Sequence, residues 1–97
     1  MRVEKTEAYG RWLDNLKDKA GRSRILMRVD RLIHGNPGTH RKLTGGVSEL
    51  KIDFGPGYRV YYSIRAGKLL LLLIGGDKST QRRDIENAIA LNRLFQR

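Results

Sequence analysis

No cysteine occurs in the 97 residues, which excludes disulfides and thiolate metal sites and leaves no reason to assign the chain to an oxidising compartment. Only His34 and His40 represent histidine. No metal-ligand spacing pairs them, and His34 falls where a helical pattern ends, a place the helix dipole favours. No metal and no other cofactor is therefore expected. Long apolar runs are also missing. The longest, Leu69 to Ile74, is far too short to cross a bilayer, and Met1 to Ala8 lacks the apolar core of a signal peptide. A basic helix with large apolar residues opposite its charges, the usual device for an anionic membrane surface, is absent as well. The expected setting is the cytoplasm, away from membranes.

Acidic residues are scarce relative to basic ones. Twenty Lys and Arg against ten Asp and Glu leave a formal charge of +10, a density that strains the compact state unless an anionic partner offsets it. A nucleic acid or an acidic protein meets that need. The apolar residues, 39% of the chain, are gathered into periodic segments, so the chain folds despite its charge. Its length suits one core, and a single domain over 1–97 is expected. There is no internal repeat and no low-complexity stretch.

Arg2 to Glu7 alternate weakly, as a short edge strand would. Ala8, Trp12, Leu13 and Leu16 then share one helical face, predicting a helix from about Tyr9 to Lys19. Ala20 and Gly21 break the pattern. Ile25, Leu26, Val29, Leu32 and Ile33 form a second stripe that stops at Gly35 with Pro37 beyond, completing a helical hairpin. From Val47 the period becomes two: Leu50, Ile52 and Phe54 on one face, Glu49, Lys51 and Asp53 on the other. Gly55-Pro56-Gly57 turns the chain. Tyr58, Val60, Tyr62 and Ile64 then alternate with Arg59, Tyr61, Ser63 and Arg65, and Ala66-Gly67 makes a two-residue turn into Leu69 to Ile74. That last run is apolar on both faces, as a strand covered on both sides would be. Ser79 or Thr80 caps a final helix with the stripe Ile85, Ala88, Ile89 and Leu94 or Phe95. The predicted class is α+β: an N-terminal helical hairpin packed on a small antiparallel sheet of three to four strands, with a C-terminal helix.

Gly76-Asp77-Lys78-Ser79 has the flavour of a phosphate-binding loop, but Asp77 stands where the glycine before the lysine belongs, and the spaced upstream glycine is missing. No Ser/His/Asp set and no sugar-cleft carboxylate pair has a supporting context. A three-residue turn at Gly55-Pro56-Gly57 sets Asp53 opposite Arg59 and Lys51 opposite Tyr61 on the polar face. In simple register Arg59 then lies across from Ile74, near the exit of Gly76, Asp77 and Lys78. Such a group suits metal-free phosphodiester cleavage: a 2′-hydroxyl loses a proton, phosphorane-like charge is stabilised, and the leaving 5′-oxygen gains a proton. A lysine serves as base only where neighbouring cations lower its proton affinity. On the residues alone, an Asp53–Arg59 ion pair with merely solvated lysines explains the same pattern.

The segments Leu43-Thr44-Gly45-Gly46-Val47-Ser48-Glu49-Leu50-Lys51, Gly55-Pro56-Gly57-Tyr58-Arg59-Val60-Tyr61-Tyr62 and Gly75-Gly76-Asp77-Lys78-Ser79-Thr80-Gln81, with Asp84-Ile85 and Ala88, resemble the HigB-like, phage Gp49-related addiction-module killer proteins of the RelE/ParE toxin superfamily. The resemblance runs over nearly the whole chain. It implies a RelE/ParE-like fold and a ribosome-dependent mRNA endoribonuclease, the toxin of a type II toxin–antitoxin pair. It implies in turn a cognate antitoxin of helix-turn-helix, HigA-like type, in a tight complex that reaches operator DNA only through that antitoxin. The ribosome and mRNA are the remaining implied partners.

Under that resemblance Arg59 matches the phosphate-binding arginine of the second sheet strand, while Lys51 and Lys78 match basic positions before and after it. RelE-like enzymes often carry a tyrosine or histidine near the C-terminus, and Arg82 to Arg97 has neither; Tyr61 or His40 is the substitute on offer. The expected catalytic set is Lys51, Arg59, Lys78 and Tyr61, with His40, Arg41, Lys42, Gln81 and Arg82 binding RNA. Arg22, Arg24, Arg28 and Arg31 are assigned to keeping a helix face soluble. Exposed aromatics such as Trp12 or Tyr61 would mark a face that the antitoxin covers. ParE-type relatives act on DNA gyrase instead, so a non-nucleolytic inhibitor of a protein target is the alternative, and a plain nucleic-acid-binding module the third reading.

Overall fold

Asp18 decides where the second helix begins. Its carboxylate accepts the Gly21 N–H at 2.9 Å as an N-cap, so a helix runs over Lys19–Ile33 (α2) with Ala20 and Gly21 inside its first turn rather than between helices. Gly21 is needed there because a Cβ would stand 2.5 Å from the Tyr58 ring. The preceding helix, Glu7–Asp14 (α1), starts at Thr6, whose hydroxyl accepts the Tyr9 N–H at 3.0 Å, and it ends well before the expected Lys19. The structure, a computed structural model, describes residues 1–95.

Five strands form one mixed sheet: Arg2–Lys5 (β1), His40–Lys42 (β2), Ser48–Ile52 (β3), Tyr58–Arg65 (β4) and Leu69–Gly76 (β5), in the order β1-β5-β4-β3-β2. The expected antiparallel meander of β3, β4 and β5 is its centre. Two edges differ from expectation. The anticipated N-terminal strand pairs parallel to β5, and β2 adds a strand that three exposed basic residues gave no apolar alternation to announce.

A 3₁₀ turn over Lys78–Thr80 leads into the last helix, Gln81–Leu94 (α3). Thr80 occupies the N-cap position but makes no capping bond; its hydroxyl instead donates to Asp84 at 2.5 Å. Helices α1 and α2 cover one face of the sheet, where Leu70 and Leu72 meet Ile25, Val60 and Tyr62. Helix α3 covers the other, where Leu71 and Leu73 meet Val47, Tyr61 and Ala88. Strand β5 is thus covered on both faces, as its unbroken leucine run predicts. Truncating any one of these leucines to alanine costs about 2–5 kcal/mol. The fully buried residues of α3 are Asp84, Ala88 and Asn92, and the predicted stripe residues Ile85 and Ile89 pack partly buried against the same core. Leu94 and Phe95, one or other of which was expected to extend that stripe, are 75% and 44% exposed, because Asn92 takes the inward position at the C-terminal end of the helix. No helix of the described residues is long and apolar enough to cross a membrane.

Candidate functional site

Register places the chemistry. Strands β3 and β4 pair Ile52 with Tyr58, so residues 53–57 all belong to the loop. The loop is longer than the expected three residues because Phe54 leaves the ladder and packs under Arg24, 4.7 Å from guanidinium carbon to ring centroid. As a result Lys51, not Asp53, stands opposite Arg59, and Glu49, not Lys51, stands opposite Tyr61. The shift is even, so every side chain keeps its face. An Asp53–Arg59 cross-strand pair does not form.

The turn between β4 and β5 takes three residues, Ala66 to Lys68, rather than the expected two, since Arg65 pairs with Leu69; Ala66 and Gly67 both have positive φ, and the Lys68 N–H donates to the Arg65 carbonyl at 3.0 Å. The extra turn residue and a one-residue bulge at Tyr61/Tyr62 together move Arg59 opposite Gly76 instead of Ile74, directly at the chain's exit from the sheet. The Lys78 N–H donates to the Pro56 carbonyl at 3.4 Å. Between them lies Gly57, at φ +79°, where a Cβ would come within 3.1 Å of Arg59 Nη1 and 3.6 Å of Lys78 Cβ. The close approach and the left-handed backbone both require glycine there. Lys51, Arg59 and Lys78 therefore converge on one end of the sheet.

Within this group Arg59 is the buried member, 5% exposed, while Lys51 and Lys78 face solvent. Its Nη1 donates to the Gly57 carbonyl at 2.6 Å, and its Nε lies 3.8 Å from Glu49 Oε2 without a hydrogen bond. Glu49, 3% exposed, accepts from Arg41 Nε and from Gln81 Nε2, each at 2.8 Å. Burial by itself would raise the Glu49 carboxyl, but those two hydrogen bonds and the charges of Arg41 and Arg59 outweigh it and hold the group below the usual carboxylate range.

Tyr61 is fully buried beneath α3, contrary to the expectation of an exposed aromatic on a polar face. The face that α3 covers is apolar at Leu71, Leu73 and Ala88, and Tyr61 shares it. Burial first, and the Glu49 carboxylate second, push its phenol well above the ordinary tyrosine range. Trp12 is likewise no open patch; it packs partly buried on the α1/α2 side of the sheet.

The residues assigned to RNA binding are divided by the sheet. Arg41 lies opposite Glu49 on the Arg59 face and borders a shallow depression with Gln81 and Arg82. Arg82 also edges a second depression with Ser79, Arg83 and Glu86. His40 and Lys42 alternate to the other face, where they rim a groove of about 480 Å³ with Leu32, Pro37 and Tyr62. The His40 ring nitrogen Nδ1 meets the Gly38 carbonyl at 2.7 Å. Arg28 is no mere solubilising charge: Nη1 donates to the Lys51 carbonyl at 2.7 Å, and Nη2 to those of Pro37 and Thr39 at 2.9 and 3.1 Å. It ties the approach to β2 against β3.

Glu49 and Asp84 were not foreseen as site residues. The only signal for Glu49 was its place on the same parity as Lys51. The signal for Asp84 was its i, i+4 spacing with Ala88 and Asn92, a stripe of small and polar residues facing a sheet. Among the described residues no group of three or more His, Cys, Asp or Glu is placed to hold a metal.

Residues 11–94 match the family model described as phage derived protein Gp49-like (DUF891). An uncharacterized protein of Haemophilus influenzae is 42% identical over 88 residues, which cover 91% of this chain and 89% of that protein.

Proposed function

The chain belongs to the Gp49-like family of phage-derived proteins, a family associated with toxin–antitoxin modules, and from that premise we propose that it is the toxin of such a module, a metal-independent, ribosome-dependent mRNA endoribonuclease. The observation that carries the reading is the buried Arg59 guanidinium held between Lys51, across the β3–β4 ladder, and Lys78, across Gly57. A cationic centre flanked by two solvent-facing lysine side chains matches a scissile phosphate and its two reacting oxygens.

In this mechanism the 2′-oxygen attacks the adjacent phosphorus and the P–O5′ bond breaks, leaving a 2′,3′-cyclic phosphate and a free 5′-hydroxyl. Arg59 stabilises the charge that builds on the phosphorane oxygens. Of Lys51 and Lys78, one acts as the neutral amine that takes the proton from the 2′-hydroxyl and the other as the ammonium that gives a proton to the leaving 5′-oxygen. Tyr61, sealed under α3, supports the site from below. Arg41, Gln81 and Arg82 continue the cationic track along which RNA lies, and the surplus of positive charge grips phosphate in a salt-dependent way. A cognate antitoxin of helix-turn-helix type neutralises the toxin and carries the complex to operator DNA.

Induced expression of the wild type and of the Arg59→Ala/Lys78→Ala double variant tests the reading, scored by growth arrest and by mapping new mRNA 5′ ends on translated messages. Arrest with translation-dependent cleavage, both lost in the double variant, is the expected result. Arrest without cleavage would overturn it in favour of a protein target such as gyrase, and no arrest would leave a nucleic-acid-binding module.

A further inference from the structure

Three residues assigned separately to the site, Arg41, Arg59 and Gln81, converge on a fourth that had no role. Glu49 Oε1 takes the Arg41 Nε–H and Oε2 takes the Gln81 side-chain N–H, each at 2.8 Å, while Arg59 Nε stands 3.8 Å from Oε2. The donors come from β2, α3 and β4, and the carboxylate from β3, so four elements meet at one group. Apart from this contact, the Arg59 guanidinium is held by the Gly57 carbonyl. We propose that Glu49 is the positioning residue of the site, a buried internal anion that fixes Arg59, Arg41 and Gln81 as one preorganised array for the RNA backbone; this rests on the nuclease reading above.

Two physical arguments support it. First, burying a carboxylate is costly unless it is paired and hydrogen-bonded. Glu49 is one of two buried carboxylates among the described residues, and the other, Asp84, is held by Thr80 at the start of α3. A role in stability alone would be met as well by apolar side chains of similar volume in place of both partners, an exchange that buried ion pairs often accept at no loss. Second, an anion beside a phosphate-binding arginine works against ground-state binding of RNA. It helps only if orientation of the guanidinium in the transition state is worth more than the lost attraction. A positioning carboxylate and a purely structural one therefore differ in their kinetic signatures.

The experiment is single-turnover cleavage of a translated message on ribosomes by wild type, Glu49→Gln, Glu49→Asp, Arg59→Ala and the Glu49→Gln/Arg59→Ala double variant. It is read together with the ¹H–¹⁵N signal of Arg59 Nε–H in the free protein. The expected result is a fall of tenfold or more in the rate constant for Glu49→Gln with an unchanged or lower KM, and partial recovery in Glu49→Asp. The double variant should be no slower than Arg59→Ala alone, and the Arg59 Nε–H signal should shift or broaden in Glu49→Gln. A folded Glu49→Gln that cleaves at the wild-type rate, a raised KM with an unchanged rate constant, or additive losses in the double variant would each overturn the assignment. If Glu49→Gln does not fold, Glu49→Asp carries the same comparison, because it keeps the charge and moves it back by one methylene. If the wild type cleaves no message, the nuclease reading fails on its own. The Arg59 signal then still decides whether Glu49 orients that guanidinium.

Discussion

Gly75 lies flat against the ring of Trp12, so closely that a methyl group at that position would overlap the ring atoms Cε3 and Cζ3. Its neighbour Gly76 makes the same close approach on the opposite face, to the Asp84 carboxylate. The Gly-Gly pair at the end of β5 is thus a packing device, letting α1 and α3 close on the sheet where Arg59 and Lys78 meet. Neither glycine needs a left-handed backbone. Gly75→Ala should destabilise the fold by about 1–3 kcal/mol through overpacking, measured by urea unfolding. Combined with Trp12→Leu, the loss should be smaller than the sum of the single variants, since the two side chains compete for one space.

The Asp18 carboxylate joins α2 to the sheet, accepting from Gly21 N–H at 2.9 Å and from the Tyr58 hydroxyl at 2.7 Å. The Gly21 bond, then the Tyr58 bond, hold its carboxyl below the ordinary value of 3.8. A depressed folded value means stabilisation that is present above the unfolded value and lost as pH falls through the folded one. Asp18→Asn should therefore lower stability at neutral pH and flatten the decline of the unfolding midpoint below about pH 4.

All four tyrosines are shifted the same way, chiefly by burial: Tyr9 and Tyr58 up to about 12, Tyr61 and Tyr62 upward as well. A raised folded value means stability that is full below the unfolded value of 10.0 and lost as pH climbs through the folded one. Absorbance at 295 nm should stay flat past that unfolded value and then rise together with loss of the folded circular-dichroism signal. Phenolate formation well ahead of unfolding would contradict the burial of these rings.

Arg41 and its sequence neighbours face opposite sides of the sheet. Removing one phosphate-contacting cation should weaken RNA binding and lower its salt slope by about one. Arg41→Ala is expected to do so. His40→Ala and Lys42→Ala should leave both quantities nearly unchanged, as measured by affinity for single-stranded RNA over a range of salt.

Asn92 locks α3 to the sheet through three partners: Ser63 Oγ donates to its Oδ1 at 2.9 Å, its Nδ2 donates to the Gly45 carbonyl at 2.8 Å, and Arg65 Nη2 donates to its Oδ1 at 2.7 Å. Asn92→Leu leaves those groups without it and should cost about 1–3 kcal/mol or more. Chemical denaturation of the variant provides the check.

Periodicity read the two helices of the hairpin, the three meander strands and α3 because each buries one apolar stripe against a neighbour. It misread the ends. Thr6 and Asp18 set the helix starts through side-chain capping, and a glycine inside the first turn of α2 looks in sequence like a break. The leucine run of β5 was legible as a strand covered on both sides, since no other arrangement buries six consecutive apolar residues in so short an element. Strand β2 was not legible, because His40, Arg41 and Lys42 are all polar and exposed and offer no apolar alternation.

The site followed the same division. Composition and alternation by themselves determined that Lys51, Arg59 and Tyr61 share a face of a β-hairpin, because side-chain parity survives any even shift in register. Tertiary structure decided everything that parity leaves open. The longer loop put Lys51 rather than Asp53 beside Arg59, the three-residue turn and the β5 bulge together carried Arg59 to Gly76, and the docking of α3 buried Tyr61 while bringing Gln81 to Glu49. These are contacts between elements distant in the chain, set by packing volume and by where a buried carboxylate finds its donors, and no local pattern encodes them.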